Sequence, residues 1–66
     1  MRTKLSKLKQ IIDVDQGRKR SWVAEKVGLT PATFKQVMHG THDLSKERAQ
    51  AIAKLLKVKL SDIWSE

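Results

Sequence analysis

Ala32, Lys35, Gln36 and His39 recur at helical spacing between Pro31 and Gly40, with Thr33 beside them. Steps of three and four residues put side chains on one helix face. What such a face offers is directional hydrogen bonding rather than bond making. The Gln36 amide pairs a donor with an acceptor, matching adenine N6 and N7. The Lys35 ammonium can donate to guanine O6 or N7, and the Ala32 methyl can touch that of thymine. Thr33 and His39 flank them. The expected readers of base edges are therefore Ala32, Thr33, Lys35, Gln36 and His39. Groups suited to phosphate lie on either side: Lys19, Arg20 and Ser21 at one predicted helix start, and Thr41, His42, Ser45 and Lys46 at another. A helix N-terminus adds unpaired amides and a positive dipole end to such groups. Fourteen Lys and Arg against seven Asp and Glu leave a net charge of +7, which favours a polyanionic partner.

Other chemistries find less support. His39 and His42 are three apart, a metal-like spacing, but Gly40 breaks the helix between them and Asp43 alone does not complete a donor set. No metal and no cofactor are expected. Ser, His and Asp occur without an arrangement of nucleophile, base and orienting acid, and a Gly-rich phosphate loop is absent. The chain reads as a non-enzyme with no small-molecule ligand. Lys4, Lys7 and Lys9 beside Leu5, Leu8 and Ile11 could lie on a membrane, yet the same apolar stripe is what a core-packing helix needs. No apolar run approaches the roughly 20 residues of a bilayer span, and no secretory leader is legible. Cysteine is absent, which excludes disulfides and fits a reducing compartment. The expected location is cytoplasmic.

Sixty-six residues suffice for one small core, in a chain burying about 60% of its unfolded surface. Without staples, packed regular helices are the natural solution. Leu5, Leu8, Ile11 and Ile12 form a first amphipathic stripe, with Thr3 as its expected N-cap. Asp13 to Lys19 lose the stripe and contain Gly17, predicting a loop. A second helix runs from Arg20 or Ser21 to Val27, burying Val23, Ala24 and Val27. Thr30-Pro31 is the clearest start signal: threonine caps, and proline at the first helical position gives up an N–H that had no partner. The third helix runs to His39 and buries Phe34, Val37 and Met38. Ser45 caps a fourth to about Lys57, with stripe Ala49, Ile52, Ala53 and Leu56. A last short helix, capped by Ser61, carries Ile63 and Trp64. Trp22 is expected to pack over the first loop. Leu60, Ile63 and Trp64 are candidate dimer contacts as well as core pieces.

The pair of helices around Gly28 is the most informative feature. Ala24 is small where the next helix crosses. Gly28 turns sharply, Leu29 tucks inward, and Phe34 and Val37 set the angle of the third helix. This is helix-turn-helix spacing, about residues 20–40.

The stretch Val23-Ala24-Glu25-Lys26-Val27-Gly28-Leu29-Thr30 resembles the core of the phage Cro and lysogeny-repressor class, the XRE family. The likeness continues through Phe34, Val37, Gly40, Ala49 to Val58 and Leu60 to Trp64, covering roughly residues 5–64. It implies an all-α, five-helix bundle with a helix-turn-helix, of the lambda-repressor-like type, filling residues 1–66 as a single domain. It implies sequence-specific binding of double-stranded DNA as a homodimer, in the manner of a Cro-type transcriptional repressor. Members usually carry Gln at the position of Arg20, where it touches a phosphate; Arg20 keeps the donor and adds charge. Rival readings are a DNA-binding fragment of a longer regulator, an architectural or excision-type DNA-bending protein, and an antitoxin or anti-repressor module that binds protein.

Overall fold

In a computed structural model the chain, described over residues 2–65, forms five α-helices and no strand; Met1 and Glu66 of the expected single domain lie outside the described residues. The helices are α1 (Leu5–Gln10), α2 (Arg20–Lys26), α3 (Pro31–Met38), α4 (Lys46–Leu56) and α5 (Leu60–Ile63). Their predicted stripes converge on one core. Leu8, Ile12, Val23, Val37, Phe34, Met38, Ile52, Leu56 and Ile63 are the largest side chains wholly withdrawn from water. Every buried side-chain N or O among the described residues has a hydrogen-bond partner, so the core carries no polar penalty of that kind.

Local chemistry explains most helix ends. The Thr30 hydroxyl accepts from Thr33 N–H at 3.2 Å and the Ser45 hydroxyl from Arg48 N–H at 3.3 Å, each satisfying an orphan amide. α2 and α3 both end in a Schellman turn. Leu29 N–H reaches Ala24 C=O and Thr41 N–H reaches Gln36 C=O, with Gly28 (φ +77°) and Gly40 (φ +82°) in the left-handed position. α4 closes the same way, Val58 N–H to Ala53 C=O, but with Lys57 (φ +59°) where glycine is customary.

Three expectations are corrected. The first helix does not stop at Ile12: a π-turn, Ile11–Asp15, prolongs it. Ile11 and Ile12 are both buried while Asp13, Val14 and Asp15 face solvent, so the lost apolar rhythm marked exposure, not a helix end. Only 16–19 form the loop, and Gln16 Nε2 donates to Leu56 C=O at 2.6 Å, capping α4. Secondly, α5 begins before Ser61; its N-cap position is Lys59, whose N–H donates to the Asp62 carboxylate at 3.3 Å. Thirdly, Thr3 is not the cap of α1, a place held by Lys4. Thr3 is buried and belongs to a long-range clasp.

That clasp is centred on Asp43. Its carboxylate accepts from Arg2 N–H (2.8 Å), Thr3 N–H (2.8 Å), the Thr3 hydroxyl and Leu44 N–H (3.0 Å). Thr3 also makes an isolated antiparallel bridge to Trp64, and Trp64 Nε1 donates to Leu44 C=O at 3.0 Å. The Thr3 hydroxyl, then the Arg2, Thr3 and Leu44 amides, hold the Asp43 carboxyl down at about 2. A depressed carboxyl stabilises the fold above its unfolded value of about 3.9 and withdraws that stability as pH falls toward the folded value. After discounting for solvent, the effect is about 1–2 kcal/mol. Asp43→Asn should therefore lower stability at neutral pH by about that amount, and the variant should lose less than the parent between pH values of about 4 and 2. Parallel acid-melt curves, measured by thermal denaturation, would contradict the clasp.

Candidate nucleic-acid interface

α3 owes its exposed face to its buried one. Phe34, Val37 and Met38 take the core side, leaving Ala32, Lys35, Gln36 and His39 exposed together. α3 contains no acidic residue. Thr33, the fifth predicted reader, is only half-exposed, and its oxygen accepts from the Thr30 hydroxyl at 2.8 Å. It is thus tied into the helix cap.

Two hollows flank α3. One, lined by Arg20, Ser21, Ala24, Pro31, Phe34 and Lys35, brings the start of α2 beside the first turns of α3. The other is lined by Leu29, Val37, His42, Asp43, Leu44, Ser45 and Arg48. It sets the 41–45 loop and the start of α4 along the opposite flank. The two predicted phosphate clusters, Lys19-Arg20-Ser21 and Thr41-His42-Ser45-Lys46, are exposed at these places. Several members have work inside the chain as well. Ser45 caps α4, and the Thr41 hydroxyl donates to Gln36 C=O at 3.1 Å. Arg20 forms an ion pair with Asp13 at 2.7 Å, both side chains about two-fifths exposed. The Arg20 bond and charge hold the Asp13 carboxyl below its ordinary value, and Asp13 raises Arg20 in turn.

Sequence reasoning missed Arg48. Its Nη1 donates to Val27 C=O at 2.7 Å, so a residue of α4 caps the end of α2 and braces the turn into α3. A Cβ at Gly28 would stand 3.2 Å from that Nη1. Glycine is thus required by the left-handed φ, and a side chain there would also press the guanidinium outward by a few tenths of an ångström. No local signal announces a partner 21 positions away. Trp22 packs against the core with Arg18 stacked 4.8 Å from its ring centroid, a cation–π contact that holds the loop before α2, as expected.

The candidate dimer contacts separate. Ile63 is wholly buried and Trp64 is 4% exposed within the single chain. Both are core residues of the single chain. Leu60, half-buried, remains at a shallow hollow with Lys4, Ser61, Trp64 and Ser65. Among the described residues no group of three or more His, Cys, Asp or Glu could hold a metal ion, and no helix is long and apolar enough to cross a membrane.

The brace at the turn makes a quantitative demand. Gly28→Ala should cost about 1–2 kcal/mol through backbone strain and displacement of Arg48. Arg48→Ala should cost about 1 kcal/mol through the lost bond. The double variant should cost less than the sum, since both act on one turn. Strict additivity in urea denaturation would show that the glycine and the guanidinium are independent.

No protein family, curated protein or solved structure matches the chain.

Proposed function

We propose that this chain is a double-stranded DNA-binding domain in which α2, the 27–30 turn and α3 act as a helix-turn-helix. α3 enters the major groove. Ala32, Lys35, Gln36 and His39 face base edges, with Thr33 at their margin. The observation that carries this reading is the acid-free, exposed polar face of α3 set between two basic, exposed helix starts. Such a layout separates specifying from positioning contacts. Gln36 and Lys35 offer geometry that differs from base to base. Lys19, Arg20, Ser21, Thr41, His42, Ser45 and Lys46 offer charge and hydroxyls that any phosphodiester accepts.

Acting as a homodimer on DNA, two copies would place their α3 helices about 34–36 Å apart in successive major grooves. Occupancy alone would then exclude polymerase, which makes a Cro-type repressor the proposed biological role and the cytoplasm the proposed location. The Leu60 hollow is the surface left for a second copy at that corner.

Selection from random duplexes, followed by titration at two salt concentrations, tests the whole reading. A two-fold symmetric site with half-sites one helical turn apart is the expected result. Salt-sensitive binding without enrichment would replace it with an architectural, DNA-bending role. Absence of duplex binding would leave a protein-interaction module. Within the expected outcome, Gln36→Ala should change the preferred sequence, losing about 1–3 kcal/mol on the selected site and little on random DNA. Lys46→Ala should weaken all duplexes alike and flatten the salt dependence by about one contact. Equal losses for Gln36→Ala on both kinds of DNA would remove it from the readers.

A further inference from the structure

Arg20 and Asp13 meet in a particular geometry. Arg20 Nη2 lies 2.7 Å from Asp13 Oδ2, and Arg20 Nε lies 3.3 Å from Asp13 Oδ1. The carboxylate therefore takes the side edge of the guanidinium, the edge made by Nε and one terminal nitrogen. A guanidinium has five N–H donors in a rigid plane and can serve a second two-oxygen partner on its end edge, through Nη1 and the outer hydrogen of Nη2. Arg20 is 43% exposed on its side chain, and it lines the hollow that also contains Lys35 of α3.

Asp13 reaches this position only because the π-turn carries the first helix on to Asp15. Ile11 and Ile12 anchor the turn in the core while Asp13 stands at its solvent side. The loop between the partners is pinned as well, by Arg18 N–H to Ile12 C=O at 2.8 Å and by the Arg18–Trp22 stack. The ion pair is thus built on fixed backbone at both ends.

We propose that Asp13 is a positioning residue for DNA binding: by occupying the side edge of Arg20 it aims the end edge at a phosphate flanking the groove that α3 enters. The inference rests on the DNA-binding reading. As an isolated surface ion pair, the contact contributes little to stability. What it supplies is a single orientation for a long, rotamer-rich side chain, so less freedom is lost when a phosphate is bound.

The sign of one substitution separates this role from plain electrostatics. Asp13→Asn removes a negative charge from a chain already at +7, which by charge alone strengthens binding to any polyanion. A positioning role requires the opposite. The probe is a random-sequence duplex of about two helical turns, titrated between about 50 and 200 mM salt. Asp13→Asn is expected to bind about three- to ten-fold more weakly at the low-salt end, with the slope of log K against log salt reduced by about 0.9, one phosphate contact. Arg20→Lys, which keeps the charge but offers no second edge, should show the same loss. In an Arg20→Ala background, Asp13→Asn should no longer weaken binding. Thermal melts of each variant confirm folding, which an exposed pair leaves nearly unchanged. If the parent binds the duplex and Asp13→Asn binds as tightly or more tightly, or keeps its slope, the positioning role is wrong and the DNA reading stands. If the parent binds no duplex in a salt-dependent way, the DNA reading fails and takes this role with it.

Discussion

A single carboxylate organises the molecule beyond its helices. Asp43 receives four donors, from the backbone of Arg2, Thr3 and Leu44 and from the Thr3 hydroxyl. It thereby ties the segment before α1 to the loop before α4. The dependency runs onward from there. Leu44, held on its amide side by this network, accepts from Trp64 Nε1 on its carbonyl side. The next residue, Ser45, caps α4, and α4 in turn supplies Arg48 to the Val27 carbonyl at the end of α2. The orientation of α3 is thus referred back, through a chain of specific bonds, to one acid in a loop. Helix packing alone leaves such connections soft; directional bonds to an ionised group are roughly twice as strong as neutral ones and fix distance as well as contact.

The parts legible in the sequence are those written locally. Apolar stripes, Thr30 and Ser45 caps, and the glycines at 28 and 40 each depend on neighbours within a turn or two, so their residue types announce them. The exposed face of α3 was legible for the same reason, as the complement of Phe34, Val37 and Met38. What escaped depends on partners far along the chain. Thr3 carries the same hydroxyl whether it caps α1 or meets Asp43, 40 positions away. The π-turn escaped because apolar periodicity reports which residues are buried, and Asp13, Val14 and Asp15 are not. Ile63 and Trp64 read as core pieces first and interface contacts second, and their burial within the single chain shows the core role. Hydroxyl residues near helix ends carry a similar ambiguity. Thr33, Thr41 and Ser45 are all used internally, with residual hydrogen-bonding capacity left for an outside partner.

Net charge counted from the sequence treats all acids alike, whereas the fold does not. Asp13, Asp43 and Asp62 each accept hydrogen bonds from within the chain. Glu25 and Glu47 stay exposed on α2 and α4, and α3 has no acid. The field around α3 is therefore shaped by where carboxylates are engaged as much as by how many there are. Lys35 faces solvent without an acidic neighbour on α3 itself, and cationic surfaces raise association rates with polyanions.

The contacts between the segment before α1 and the segments around α5 have an entropic consequence. Arg2, Thr3 and Lys4 meet partners at Asp43, Ser61, Ile63 and Ser65, some 40 or more positions away. Helical turns and the α2–α3 pair need only short segments to find each other, so they assemble at small entropic cost. The closing of the end segments spans nearly the whole described chain, so its loop-closure entropy is the largest that the fold must offset. The seam between these segments is thus the costliest closure in the fold, and directional hydrogen bonds, rather than local helix formation, are what offset it.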